Sequence, residues 1–334
     1  MGHRRLLALA YFAIAASLSL LTAPPAGAQN PGFPTRPLSF VVMYPPGSAS
    51  DILARILAAE LPLHLGQNVV VENKAGAGGS IGAAAVARAK SDGYTFGMVS
   101  NPVMAINPWL YRNPPYDPIR DFAPVIRLAN TPNLLLVSAQ SPVRSVQDLM
   151  RRMKERRKEN AFQYASSGNG TGQHLEGVML AKLAGASADH VPYRSVPDQL
   201  TALAGGQVDF AFSTLSSSIS FVKSGRLRAL GITSTQPSAL LPDVPSLSSV
   251  GLSGFEKTDT WLGIITQKET PDAVMQTLHR AFAKVLGNPD IQAKLVAAGF
   301  DPAPLVPAGE FAQFIRDQFA FWGELVKMSG ASND

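Results

Sequence analysis

The 334-residue chain contains no cysteine. Thiolate catalysis, zinc–thiolate sites, iron–sulfur clusters and disulfides are excluded at once, and a chain of this size can rely on its hydrophobic core alone. Histidine is scarce. The five present are scattered, with no H-E-x-x-H and no partner at i+4, so no metal-binding helix is expected. Nucleotide chemistry is missing too: no G-x-x-x-x-G-K-S/T occurs, so the lysine and hydroxyl of a phosphate loop are absent. Gly76, Gly78 and Gly82 make a loose G-x-G-x-x-x-G, but no acidic residue closes the following strand as a dinucleotide site requires. Neither sign of charge is in large excess. There are 29 Lys and Arg against 24 Asp and Glu, too small a surplus to argue for nucleic acid. The one basic run, Arg151 to Glu159, follows Val146, Leu149, Met150 and Met153 at helical spacing with Ser145 as cap, and reads as the solvated face of a helix.

Long apolar runs are confined to the start, "MGHRRLLALAYFAIAASLSLLTAPPAGAQ". Arg4 and Arg5 make a positive head, Leu6 to Leu21 an uncharged run, and Ala26-Gly27-Ala28 a small-x-small exit, the layout of a cleavable secretory signal over residues 1–28. The run is marginal for a membrane span, and the paired arginines match the twin-arginine signal poorly. The mature chain is expected to begin near Gln29, outside the cytoplasm. At about 300 residues it is twice a typical domain, so two lobes are expected.

Beyond Gln29 the chain alternates short apolar runs with helical patterns. Strands are expected at 38–44, 68–73, 94–100, 124–129, 133–138, 162–166, 189–193, 208–213, 227–233 and 261–266. Helices are expected at 50–61, 79–90, 145–158, 172–184 and 197–204, and near 271–286, 289–298 and 308–328. Continuous apolar strands alternating with helices indicate α/β layers around largely parallel sheets.

Glycine gathers in three places: "YPPGSASD" at Tyr44–Asp51, "AGAGGSIG" at Ala75–Gly82 and "SSGNGTGQH" at Ser166–His174. The first and third lead from a strand into a capped helix. Glycine lets backbone approach a ligand, and a helix start offers unpaired N–H groups and the positive end of the dipole. Two such corners facing each other would hold an anion without lysine or arginine. "GGSIG" also fits the G-x-S-x-G nucleophile elbow, with Ser80 as nucleophile and His174, His190 or His279 as base, the mark of a secreted serine hydrolase. Against it, "KAGA" separates the motif from its strand.

"PPGSASDILARILAAEL", "GQNVVVENKAGAGGSIGAAAVARAKSDGYTF", "NPWLYRNPPYDPIRDFAPV", "HVPYRS", "GGQVDFAF", "VKSGRLRALGITS", "LPDVPSL" and "FEKTDTWLGI" occur in this order. Together they resemble the Bug family, the extracytoplasmic solute receptors of the tripartite tricarboxylate transport type, over nearly the whole mature chain. The resemblance implies a two-lobed periplasmic-binding-protein fold of the Venus-flytrap kind (type II), with no catalytic activity, cofactor or metal. Residues 29–131 and 250–334 would form one lobe and 132–249 the other. A small carboxylate (amino acid, di- or tricarboxylate, or aromatic acid) would sit between them, held by backbone N–H groups and waters. By position the two gripping loops are Pro46, Gly47, Ser48, Ser50 and Asp51, and Ser166, Ser167, Gly168, Asn169, Gly170, Thr171 and Gly172. Ser100, Asn101, Tyr193, Ser195 and Thr214 fall where the cleft continues. The implied partners are membrane subunits of a tripartite tricarboxylate-type transporter or a sensor protein, with the receptor a monomer and no nucleic acid involved.

The chain departs from the family pattern at Ser48, where a second glycine is usual, and at Arg194-Ser195, Asp198-Gln199 and Ala202. These changes are expected beside the cleft, where they would retune the choice of acid and allow the Ser48 hydroxyl to replace a water. Four hydrogen bonds to a charged group contribute about 6–12 kcal/mol, against about 8 kcal/mol for micromolar binding.

Overall fold

The computed structural model describes residues 32–156 and 160–329, so the expected leader lies outside the described residues. Gly32–Thr35 belongs to a separate N-terminal unit, and from Arg36 onward the chain forms one unit. The first half of that unit alternates β1 (Leu38–Val42), α1 (Ala49–Glu60), β2 (Val69–Asn73), α2 (Ser80–Ala87), β3 (Thr95–Ser100) and β4 (Phe122–Thr131). Next come β5 (Asn133–Ser138), α3 (Val146–Glu155), β6 (Phe162–Ser166), α4 (Gly172–Leu183), β7 (Ala188–Pro192), α5 (Val196–Ala204), β8 (Phe210–Thr214), α6 (Leu215–Lys223) and β9 (Leu227–Ile232). The chain then returns through β10 (Thr260–Gln267), α7 (Asp272–Leu286), α8 (Pro289–Ala297), β11 (Asp301–Pro302) and α9 (Ala308–Ser329).

Two sheets result, ordered β11-β4-β10-β3-β1-β2 and β7-β6-β8-β5-β9. β1 pairs in parallel with β2 and β3, and β6 with β7 and β8. The expectation of largely parallel sheets needs correction at the crossovers. β10 runs antiparallel to β3 and β4, and β5 antiparallel to β8 and β9. β4 leaves the first sheet directly into β5 of the second through Pro132, and β10 returns, so these strands enter from the junction rather than through helical crossovers.

Helix α3 bears out the reading of the basic run as far as it is described. Val146, Leu149 and Met153 are buried, while Arg151 is exposed and pairs with Asp148 and Glu155 one turn away. Such pairs contribute only tenths of a kcal/mol. Helix α6 is absent from the expected elements, because "LSSSISFVK" is rich in serine, a residue that favours caps over helix interiors. Gly177 sits inside α4 for a packing reason: a Cβ there would collide with the Tyr164 ring of β6. Helix α9 lies along the six-stranded side, where Phe311 packs on Trp261. Farther along, Trp322, Leu325 and Val326 join Leu175 of α4 in one buried cluster.

Candidate ligand-binding site

The first corner starts where β1 runs out at Tyr44-Pro45-Pro46. Gly47 takes φ +79, a conformation that glycine adopts without strain. Ser48 is the N-cap of α1, its Oγ accepting the Asp51 N–H at 3.2 Å. The Asp51 carboxylate turns back and accepts from Gly47 N at 3.0 Å, from Asn73 Nδ2 at 3.0 Å and from Arg55 Nε at 3.0 Å. Burial alone would raise its pKa. The bonds from Arg55, Asn73 and Gly47 outweigh that and hold it below the usual carboxylate range. Within this braced turn the N–H groups of Ala49 and Ser50, the first two of α1, have no protein partner among the described residues.

The second corner does the same with neutral groups. Gly168 and Gly170 take φ +131 and +76 between β6 and α4. Ser166 Oγ accepts from Gly168 N at 3.2 Å and shares a 2.6 Å bond with His190 Nε2. His190 stacks on His174 with ring centroids 4.1 Å apart, and Gly170 N donates to His174 Nδ1 at 3.4 Å. Burial, with His174 alongside, pushes the His190 imidazole down to about 3, and burial lowers that of His174. Both rings are therefore neutral near pH 7. Thr171 caps α4, its Oγ1 accepting His174 N. The N–H groups of Gly172 and Gln173 are left without a protein partner among the described residues.

Both corners open on one cleft. Pro45, Ser48, Ala49 and Ser50 line it from the first corner, and Ser167, Thr171, Gly172 and Gln173 from the second. Tyr44, Ser100, Pro102 and Thr260 close it from the six-stranded side, Val196 and Thr214 from the other. No charged side chain is among these residues. The cavity volume is about 50 Å³, room for a few waters. The walls touch across the opening: Ser217 Oγ donates to Gly47 O at 3.2 Å. A Cβ on Gly47 would stand 3.0 Å from Pro197 Cγ, and one on Gly78 would stand 3.3 Å from Asn169 O. The Tyr44 phenol is kept protonated by burial, accepting from Ser100 Oγ and donating to Gly78 O, each at 3.3 Å.

The family model described as the tripartite tricarboxylate transporter family receptor matches residues 53–331. The chain belongs to this family. It is 34% identical over 326 residues to the protein in the tcbD-tcbE intergenic region of Pseudomonas sp. (strain P51), covering 97% of this chain and 94% of that one. BugT of Bordetella pertussis is 31% identical, with 90% and 91% covered. Among solved structures, R. palustris Rpa4515 with adipate superposes with a TM-score of 0.85 at 32% identity, covering 90% of this chain and 99% of that one. MatC from Rhodopseudomonas palustris with bound malate gives 0.82 at 28% identity, covering 88% of this chain and 100% of that one. The two-lobed α/β fold of the periplasmic binding proteins is thus the fold of this receptor, and it is a binding protein rather than an enzyme.

Of the residues singled out in the sequence, the cleft brings together Ser48, Ser50, Ser100, Ser167, Thr171, Gly172 and Thr214. Others support it from behind. Asp51 faces Arg55 and Asn73 rather than the cleft, and by occupying Gly47 N it withdraws an amide expected to meet ligand. Pro46 shapes the turn. Ser166, Gly168, Asn169 and Gly170 lie one layer back, in the loop tied to the histidines. Tyr193 stands outside the lining. Ser195 is spent as the α5 cap, bonded to Asp198 N at 3.2 Å and to its carboxylate at 2.7 Å. Gln199 is buried with Nε2 on Phe212 O at 2.7 Å, so the departures at 194–202 mostly serve α5 and its packing; Val196 alone of that segment lines the cleft. Asn101 is buried beside it. Ala49, inside the expected loop from Pro46 to Asp51, lines the cleft as well; sequence reasoning missed Tyr44, Pro45, Pro102, Gln173, Val196 and Thr260. Gln173 was accessible to it, being the second residue of a helix already expected to start at 172. Ser80 is buried and accepts from Asn107 Nδ2 at 3.1 Å; among the described residues no histidine bonds to it, and the glycine run it belongs to braces Tyr44 and Asn107.

Proposed function

We propose that the receptor captures a small carboxylate in this cleft, in the periplasm and as a monomer. It then delivers the acid to membrane subunits of a tripartite tricarboxylate-type transporter, or reports it to a sensor. The observation that carries this is the set of four unpaired amides, Ala49 and Ser50 facing Gly172 and Gln173, at two helix starts on one uncharged cleft. Helix N-termini attract anions, and a desolvated site strengthens each bond without any cation. The adipate and malate held by similar proteins are carboxylates. Among the described residues no helix is long and apolar enough to cross a membrane.

The two sheets act as two lobes in this reading, β1–β4, β10 and β11 with α1, α2 and α7–α9, and β5–β9 with α3–α6. They hinge at the crossovers Thr131–Asn133 and Thr258–Thr260 and close over the acid as domain pairs do. A cavity of about 50 Å³ then corresponds to the closed arrangement, and entry of an acid requires the sheets to part. The test is a thermal-shift screen of carboxylic acids on ligand-stripped protein, with native mass spectrometry of the fresh preparation. A rise in Tm with at least one acid is expected; no rise with any acid overturns the reading. Pull-down of membrane subunits separates transport from signalling.

A further inference from the structure

We propose that Asn101 is a specificity-determining residue that selects a small carboxylate carrying a hydroxyl group. The inference rests on the reading of the cleft as a carboxylate site. Asn101 stands between Ser100 and Pro102, both of which line the cleft, where β3 gives way to a helical turn. Its side chain is fully buried, and neither Oδ1 nor Nδ2 has a hydrogen-bond partner among the described residues. Leaving one such atom unpaired costs about 1–3 kcal/mol, so a side chain with two calls for partners from outside the protein. Rotating the amide by half a turn changes nothing, because one donor and one acceptor remain unpaired either way.

The amide points toward the second corner. Nδ2 lies 3.7 Å from the place a Cβ on Gly172 would occupy, and Gly172 is the first residue of α4, one of the four with an open N–H. A carboxylate oxygen held by that N–H can also accept from Nδ2. An ionised carboxylate has no hydrogen to give to Oδ1. A ligand that satisfies both atoms therefore carries an O–H or N–H group close to its carboxylate. An ammonium group would supply the hydrogen, but no Asp or Glu lines the cleft to balance its charge. Asp51 is turned away to Arg55, and the two helix starts repel cations. A hydroxyl meets the requirement without added charge. Sites built to bond a substrate hydroxyl discriminate strongly against the analogue that lacks it.

Isothermal titration of the ligand-stripped protein tests this with two sets of probes: malate, succinate and aspartate, which differ in one substituent, and 3-hydroxybutyrate with butyrate. The hydroxy acid is expected to bind at least tenfold tighter than its unsubstituted counterpart in the set that fits the cleft, and malate tighter than aspartate. Asn101→Leu should reduce the hydroxy-acid preference to less than threefold, the hydroxy acid losing more affinity than the unsubstituted acid. Equal affinities within both sets, or aspartate binding tighter than malate, overturn the hydroxyl inference and leave the carboxylate reading standing. Absence of binding by all five probes overturns the hydroxyl inference; the carboxylate reading falls only if the wider screen of acids also gives no rise in Tm. The comparison on the unaltered protein needs no variant, so it decides the matter even if Asn101→Leu does not fold.

Discussion

The two corners offer the ligand the same thing, a pair of open amides at a helix start, through opposite chemistry. Behind the first stands a charged group: Asp51, 4% exposed, gathers Gly47 N, Asn73 and Arg55. Behind the second stands a neutral network of hydroxyls and imidazoles, with Ser166 on His190, His190 stacked on His174, and His174 accepting from Gly170. What binding needs is the pair of unspent amides. The loop that holds them in place can be braced by whatever its neighbours provide, so the two halves of one site differ in how they respond to mutation and to acid.

Replacing the carboxylate should have the largest effect. Asp51→Ala removes one acceptor from three donors and leaves Gly47 N unpaired in a turn that also touches Pro197 and Ser217. The Arg55 side chain is 56% exposed, so the ion pair itself contributes under about 1 kcal/mol. The Gly47 and Asn73 bonds account for more, and the total loss should be about 2–3 kcal/mol. Affinity for whichever acid stabilises the protein should fall at least tenfold. Urea denaturation and titration calorimetry measure the two effects; an unchanged affinity would mean that the first corner holds its shape without its carboxylate.

Acid should separate the corners. Asp51 has a folded pKa below its unfolded value of about 4, so its stabilisation is present above that value and is lost only as pH falls further. His190 behaves differently. Its folded pKa of about 3 lies below the unfolded value of about 6.5. Between those values the unfolded chain binds more protons, and stability declines as pH drops. The second corner should therefore weaken in mild acid, where the first is intact. In melting curves from pH 7 to pH 4 the parent should lose a few degrees of Tm relative to His190→Gln. Equal slopes in the two proteins would detach the histidine from the effect.

The same contrast governs how much of the fold and the site is legible in the sequence. The Pro-Pro-Gly corner and the two capped helices are local features, and "PPGSASD" and "SSGNGTGQ" announce them by residue type alone. Which amides remain open is not announced by residue type. Gly47 N is lost to Asp51, four residues later, and Gly170 N to an imidazole on the next turn of helix. The third glycine run resembles the other two in composition. Yet Tyr44 and Asn107 spend the Gly78 carbonyl on bracing, and that depends on residues 34 and 29 positions away. Thr260 enters the cleft unannounced because it arrives on the return strand β10, beyond the reach of any spacing rule. The antiparallel crossovers escape for a related reason: a strand buried along its whole length, such as β5, reads the same in either direction.

The smallest effect in mild acid, and the one that sharpens the contrast most, concerns Glu176, one turn into the helix of the second corner. It is fully buried; Oε1 accepts from Asn133 Nδ2 at 2.8 Å and from Thr258 Oγ1 at 2.6 Å. Asn133 and Thr258 belong to the two crossovers between the sheets. Oε2 has no partner among the described residues. Burial pushes the carboxyl up to about 8, against the opposing pull of Thr258 and Asn133. Between the unfolded value near 4.3 and that figure the folded chain holds the extra proton, so stability declines as pH rises over that interval and levels off above about 8. Glu176→Gln keeps an Oε1 for both donors and removes the titration. Near pH 4.5 it should change stability by less than about 1 kcal/mol, because the folded group it replaces is then neutral and the unfolded one only about half ionised. Above pH 8.5 the variant should melt higher than the parent. If the two proteins instead change stability in parallel between pH 5 and pH 8, the buried carboxyl is not the group that titrates. The helix whose loop gives way in acid would then carry no opposing weakness in base.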